Sequence, residues 1–248
     1  MILNSKAPGL FLGLFLFTSI LFASAEAKLH IAFVDSGFCN KSPLVKKQVD
    51  LTQSVKINCN KVEKQNRRFH GHFVLEKFLS LNKRKDLVIT PLVVFDKDGL
   101  QKTEYWLKAM DWIKKNKVDL IVTASGLRVE KNLGPLPVLT IAASGQVSGK
   151  IRRFHKIWPQ SFPSQNLILV GNMIREEDNI YFADNLLLNE SRIDFYIDEE
   201  SSSKAVAVGA ARALNKCQFP NLKLCLAKEY QTVQDQITKK ELKVLLSQ

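Results

Sequence analysis

An acid, a base and a hydroxyl nucleophile can be read from three separated stretches of this 248-residue chain. Asp35 closes an apolar run in IAFVDSG (Ile31–Gly37), His70 opens one in RFHGHFV (Arg68–Val74), and Ser201, Ser202 and Ser203 lead SSSKAVAVGAARAL (Ser201–Leu214). A carboxylate can orient an imidazole and stabilise its cation, and a neutral imidazole can take the proton of a serine hydroxyl. Asp, His and Ser in that chain order is one of the orders in which such triads occur. Serine at a helix start also has a plainer use, because its oxygen caps free backbone N–H groups. The same place is the positive end of the helix dipole, where a developing negative charge is stabilised.

Each of these residues needs a rigid element behind it. Lys28–Val34 is a short apolar run bounded by Asp-Ser-Gly, the pattern of a buried parallel strand, and Ser54–Asn58 is a weaker strand. His70–Leu81 carries Phe73, Val74, Phe78 and Leu79 at helical spacing, and Asp86–Phe95 reads as a strand in which Pro91 marks a bend or an edge. Thr103–Lys117 is an amphipathic helix with Trp106, Leu107, Met110 and Ile113 on one face. Val118–Ala124, Val138–Ala143 and Asn166–Val170 are further buried strands, with shorter ones at Asn179–Phe182 and Arg192–Ile197. A helix from Ser201 and a closing amphipathic helix over Glu229–Leu246 complete the chain. Strands alternating with helices predict an α/β fold of three layers, a mostly parallel sheet with helices on both faces. No repeat or low-complexity linker divides residues 28–248, so one domain is expected. Sites in such sheets gather at the carboxyl ends of strands, where Asp35, Ser125 and Ser144 fall.

The address is written at the front. Leu10–Ala23 is almost wholly apolar, follows Lys6 and precedes small-residue cleavage options at Ala25 and Ala27. It reads as a secretory signal peptide over residues 1–27, too short to anchor comfortably in a bilayer, with cleavage after Ala27 preferred over Ala25. Four cysteines in an exported chain favour two disulfides, and Cys39–Cys59 with Cys217–Cys225 is the locally sensible choice among three pairings. No cysteine or histidine spacing suits zinc, and no acidic cluster suits calcium, so no metal or other cofactor is expected. The net charge of +12 is spread over LVKKQ, KQNRR, NKRKD, KKNK, KIRRFHK and ITKKELK. Dispersed charge is a solvated surface more often than a nucleic-acid footprint, so no nucleic-acid partner is expected.

Taken together, the three stretches resemble the motifs of the subtilases, the subtilisin-like serine proteases. IAFVDSG is similar to the family's strand-Asp motif, FHGHFV to its His-Gly-Thr-His-Val motif, and SSSKAVAVGAARAL to its Gly-Thr-Ser-x-Ala-x-Pro-x-Val-x-Gly-Ala-Ala motif. Between them, VDLIVTASG resembles the strand that lines the family's substrate cleft, VLTIAASGQ its Ala-Ala-Gly-Asn segment, and FPSQNLILVGNM its Tyr-Pro…Val-Gly segment. The matches follow family order over most of residues 28–248. The resemblance implies Asp35 as the orienting acid, His70 as the general base and, by a gapless count back from Gly209, Ser201 as nucleophile. Ser202 and Ser203 remain open if the register slips. It also implies Gln146 as the oxyanion-hole amide, with the nucleophile's own N–H as another donor, and Ser125 and Gly126 as substrate-binding residues. His72 and His155 receive no role.

Several positions depart from that pattern. On the gapless count Glu199 and Glu200 stand where the family has Gly-Thr, two carboxylates that would disfavour an oxyanion, and Ala205 replaces the motif's proline. Gln146 is one methylene longer than the family's asparagine, and the segment after Gly126 is too short for the family's usual helix. No room for the usual propeptide lies between the signal peptide and Lys28. The favoured expectation is an exported, periplasmic or secreted serine endopeptidase, monomeric, acting on protein or peptide substrates. The rival is a catalytically inactive subtilase-fold binding protein, and a periplasmic α/β ligand-binding protein is a third, weaker reading.

Overall fold

The computed structural model describes residues 28–52, 59–61, 67–147, 154–176, 179–182, 188 and 190–246. The predicted signal peptide and the predicted strand Ser54–Asn58 lie outside them. In chain order the elements are β1 (Leu29–Asp35), β2 (Val49–Asp50), α1 (His70–Leu81), β3 (Leu87–Val93), α2 (Thr103–Lys115), β4 (Leu120–Thr123), β5 (Leu127–Arg128) and β6 (Leu139–Ala143). There follow β7 (Ile157–Trp158), β8 (Leu167–Glu176), β9 (Asn179–Phe182), β10 (Phe195–Asp198), α3 (Ser202–Lys216), α4 (Leu222–Glu229), β11 (Gln231–Gln234) and β12 (Glu241–Val244).

The main sheet runs β11-β12-β10-β8-β6-β4-β1-β3-β2, with β9 attached to β8, and all of its ladders but β8–β9 and β11–β12 are parallel. The apolar runs are continuous because both faces of these strands are covered. On β1, Ile31 and Phe33 face a core shared with α1, α3 and α4, while Ala32 and Val34 face a second core built on Tyr105, Trp106, Ala109 and Ile113 of α2. The small residues of α3 let it lie close to the sheet. A methyl group at Gly209 would stand 3.0 Å from a Phe195 ring carbon and 3.1 Å from Val170 Cγ1. Pro91 sits inside β3, second from the edge, where the two-residue β2 and a bridge from Val45 to Ile89 pair beyond it.

The predicted closing helix is not there. The segment Glu229–Leu246 instead ends α4 and forms the antiparallel pair β11–β12. Its apolar residues obey a period of two in β12, where Leu242 and Val244 are buried between exposed Glu241 and Lys243. Buried Asp235 closes the turn by accepting from the backbone of Ile237 and Thr238, and Lys239 takes φ +60°. Both expected disulfides form, with Cα–Cα distances of 5.4 Å for Cys39–Cys59 and 5.8 Å for Cys217–Cys225. Among the described residues, no helix is long and apolar enough to cross a membrane.

Candidate active site

Asp35 is the last residue of β1 and is almost fully buried, with 2% exposure. Its Oδ1 accepts from the backbone N–H of Ser36 at 2.7 Å. His70 is the first residue of α1, and its Nδ1 stands 3.0 Å from Asp35 Oδ1 and 3.1 Å from Oδ2. That approach is enforced by backbone on both sides of the histidine. Gly37 N–H donates to Arg68 O, Gly71 N–H to Ser36 Oγ, and His72 N–H to Gly37 O. A methyl group on Gly71 would lie 2.8 Å from Asp35 Cβ and 2.7 Å from Phe38 Cζ. The residue after His70 must therefore be glycine for helix and strand to come this close.

The three serines at α3 take three different parts. Ser201 is the N-cap, with extended φ −148° and ψ 152°, and its Oγ accepts from Lys204 N–H at 3.3 Å. Ser202 is buried under the helix start. Ser203, one residue further round the first turn, places its Oγ 3.0 Å from His70 Nε2. The residue facing the imidazole is thus Ser203, not the expected Ser201. A capping serine must turn its oxygen onto its own helix, so it is not available to a distant histidine. The sequence held a signal for this register, since Ser203-Lys204-Ala205 repeats the Ser-x-Ala of the motif. Counting from Ser203, Ser201 and Ser202 take the Gly-Thr positions and Ala207 takes the proline's.

The two glutamates move with the register and are paired. Glu199 lies 2.9 Å from Lys77 Nζ, tying α1 to the entry of α3, and Glu200 is paired with Lys204. The carboxylates expected to oppose an oxyanion are thus drawn onto lysines. Asp35 raises the His70 pKa above its ordinary 6.5, chiefly by its negative charge and also by the hydrogen bond, against the lowering effect of burial. His72 Nε2 lies 3.2 Å from Glu76.

A cavity of about 480 Å³ opens directly on this constellation. His70, Ser201 and Ser203 line it together with Phe73 and Val74, and Lys77 and Lys204 stand in its wall. The remaining predicted residues do not line it. Gln146 is half-buried just beyond β6, after Gly145 at φ +80°. Ser125 follows β4, with its carbonyl oxygen accepting from Gln160 Nε2 at 3.0 Å. Gly126 is packed so closely that an added methyl would meet Gln160 Oε1 at 2.4 Å and Ile157 Cγ2 at 2.5 Å. A second cavity of about 430 Å³, walled by Leu136, Trp158 and Phe162, lies beside the entries to β6 and β8.

No protein-family model matches the chain, and no curated protein matches it. Solved structures do. The chain is similar to the prenylagaramide maturation protease PagA, at 13% identity and TM-score 0.56 over 87% of each chain. It is also similar to a chain in a structure of subtilase cytotoxin SubAB assembly, at 14% identity and TM-score 0.61 over 89% of this chain and 87% of that one. At such identities the likeness establishes the fold. This is a subtilase-like three-layer α/β fold, as the motif order implied.

Proposed function

We propose that the chain is an exported serine endopeptidase of subtilisin type, with Ser203 as nucleophile, His70 as general base and Asp35 as orienting acid. The observation that carries this reading is the continuous relay from Asp35 through both nitrogens of His70 to Ser203 Oγ, with links of 3.0 Å. Structural serines do not require a histidine whose far nitrogen is bound to a buried carboxylate. The Asp35 contact puts the proton on Nδ1, which leaves Nε2 to accept the Ser203 proton.

Ser203 Oγ then bonds to the scissile carbonyl carbon as its proton passes to His70 Nε2. The negative oxygen of the tetrahedral intermediate is met by N–H groups of the first turn of α3, and Gln146 is the side-chain amide proposed to assist. Collapse breaks the C–N bond, the departing amine takes the proton from Nε2, and an acyl-serine remains. Water, deprotonated by the same imidazole, releases the acid and restores Ser203. Asp35 favours the imidazolium that forms in both halves. Two disulfides and the apolar leader Leu10–Ala23 suit an exported protein.

Labelling of the oxidised protein by a fluorophosphonate tests this reading. Stoichiometric labelling of the wild type that is lost in His70→Ala is the expected result. A folded wild type that takes no label would overturn it in favour of a binding protein that has kept the fold.

A further inference from the structure

The packing around Gly126 and around His70 differs sharply. A methyl group on Gly126 would run into Ile157 and the buried Gln160, so this glycine is fixed by packing. Beside His70 there is a cavity of about 480 Å³, within the range of sites that hold small ligands or side chains. Phe73, Val74 and Lys77 lie three, four and seven residues after His70, so α1 presents them on the same face as the imidazole.

That position has a chemical meaning under the serine-hydrolase reading, on which this inference rests. The amine leaving the tetrahedral intermediate must take its proton from His70 Nε2. The chain segment carrying that amine therefore passes on the imidazole's side of Ser203, over the α1 face. The cavity's charged groups are already answered: Lys77 by Glu199, Lys204 by Glu200, and Glu76 by His72. Beyond His70 and the hydroxyls of Ser201 and Ser203, what the lining offers a ligand is the apolar surface of Phe73 and Val74. An ionic side chain entering here would give up water and gain no unpaired partner.

We infer that the cavity between α1 and the start of α3 selects substrates by a bulky apolar side chain on the residue just after the scissile bond. Discrimination then lies on the leaving side. The substrate class is polypeptides with a large apolar residue just after the scissile bond.

Acyl transfer isolates the leaving side. An acyl-enzyme formed from acetyl-glycine p-nitrophenyl ester is offered leucinamide, phenylalaninamide, glycinamide, aspartic acid amide and lysinamide at equal concentration. Each competes with water for the acyl group, so the ratio of amide product to acid reads the leaving-side pocket within one protein. The expected result is capture by leucinamide or phenylalaninamide tenfold or more above the other three, falling to less than threefold in Phe73→Ala. Equal capture of all five by an enzyme that turns over the ester would overturn the inference and leave the serine chemistry standing. So would a preference for the aspartic or lysine amide. No ester turnover and no fluorophosphonate label would overturn both. The wild-type ratios decide the matter alone should Phe73→Ala fold poorly.

Discussion

The Asp35–His70 corner and the entry to α3 meet at one hydrogen bond, yet they are held in different ways. The corner is fixed by buried backbone: the carboxylate is 2% exposed, three backbone hydrogen bonds clamp the residues around His70, and Gly71 leaves no room for a side chain. The α3 entry adds polar contacts to a buried first turn, the Ser201 cap and the ion pairs of Glu199 and Glu200 with Lys77 and Lys204. The acid and base therefore share a geometry that packing dictates. The nucleophile stands on a helix that packing also holds, and the cap and ion pairs at its entry each add little.

Substitutions can separate these two kinds of support. Ser203→Ala removes the proposed nucleophile itself, and a fall of about 10⁶ in kcat is expected from ester hydrolysis rates. Asp35→Asn keeps the shape of the corner but loses the charge that raises the His70 pKa, and about 10⁴ in kcat should go with it. Gly71→Ala forces the corner open, so thermal unfolding should show a loss of about 1–3 kcal/mol and the rate should drop about 10²-fold. Ser201→Ala removes only a cap. It should cost about 1 kcal/mol in denaturant unfolding and leave fluorophosphonate labelling in place. If Ser201→Ala abolished labelling while Gly71→Ala did not disturb it, the contrast drawn between the two regions would be reversed.

Acidity offers a milder probe of the corner. The imidazole must be neutral to accept the Ser203 proton, and its folded pKa lies above 6.5. The rate should therefore climb with pH through a midpoint above 6.5, and Asp35→Asn should move that midpoint down. Stability follows the opposite slope at this residue. The folded state favours the cation, so the contribution is complete below the unfolded value and disappears as pH rises through the folded one.

The corner was also the part most open to reading from sequence. An apolar run that ends in Asp-Ser-Gly and a histidine followed by glycine are each dictated by close packing, and α1 spans the predicted His70–Leu81. The three serines were harder because all of them satisfy the composition of a helix start. Which one caps, which one packs and which one faces outward depends on the helix register, and Ser-x-Ala at Ser203-Lys204-Ala205 was the clue available. The pairing of Glu199 with Lys77 joins residues far apart in the chain, and nothing local announces it. The C-terminal hairpin looks like a helix in sequence because apolar residues in a short charged segment suit either period. The turn at Asp235 and Lys239 decides for strands.

The most direct measurement of the central claim is peptide mapping by mass spectrometry of the fluorophosphonate-treated wild type. The adduct is predicted on Ser203 alone, within the peptide that also carries Ser201 and Ser202. An adduct on Ser201 or Ser202, or label scattered over all three, would contradict the assignment of the relay to Asp35, His70 and Ser203.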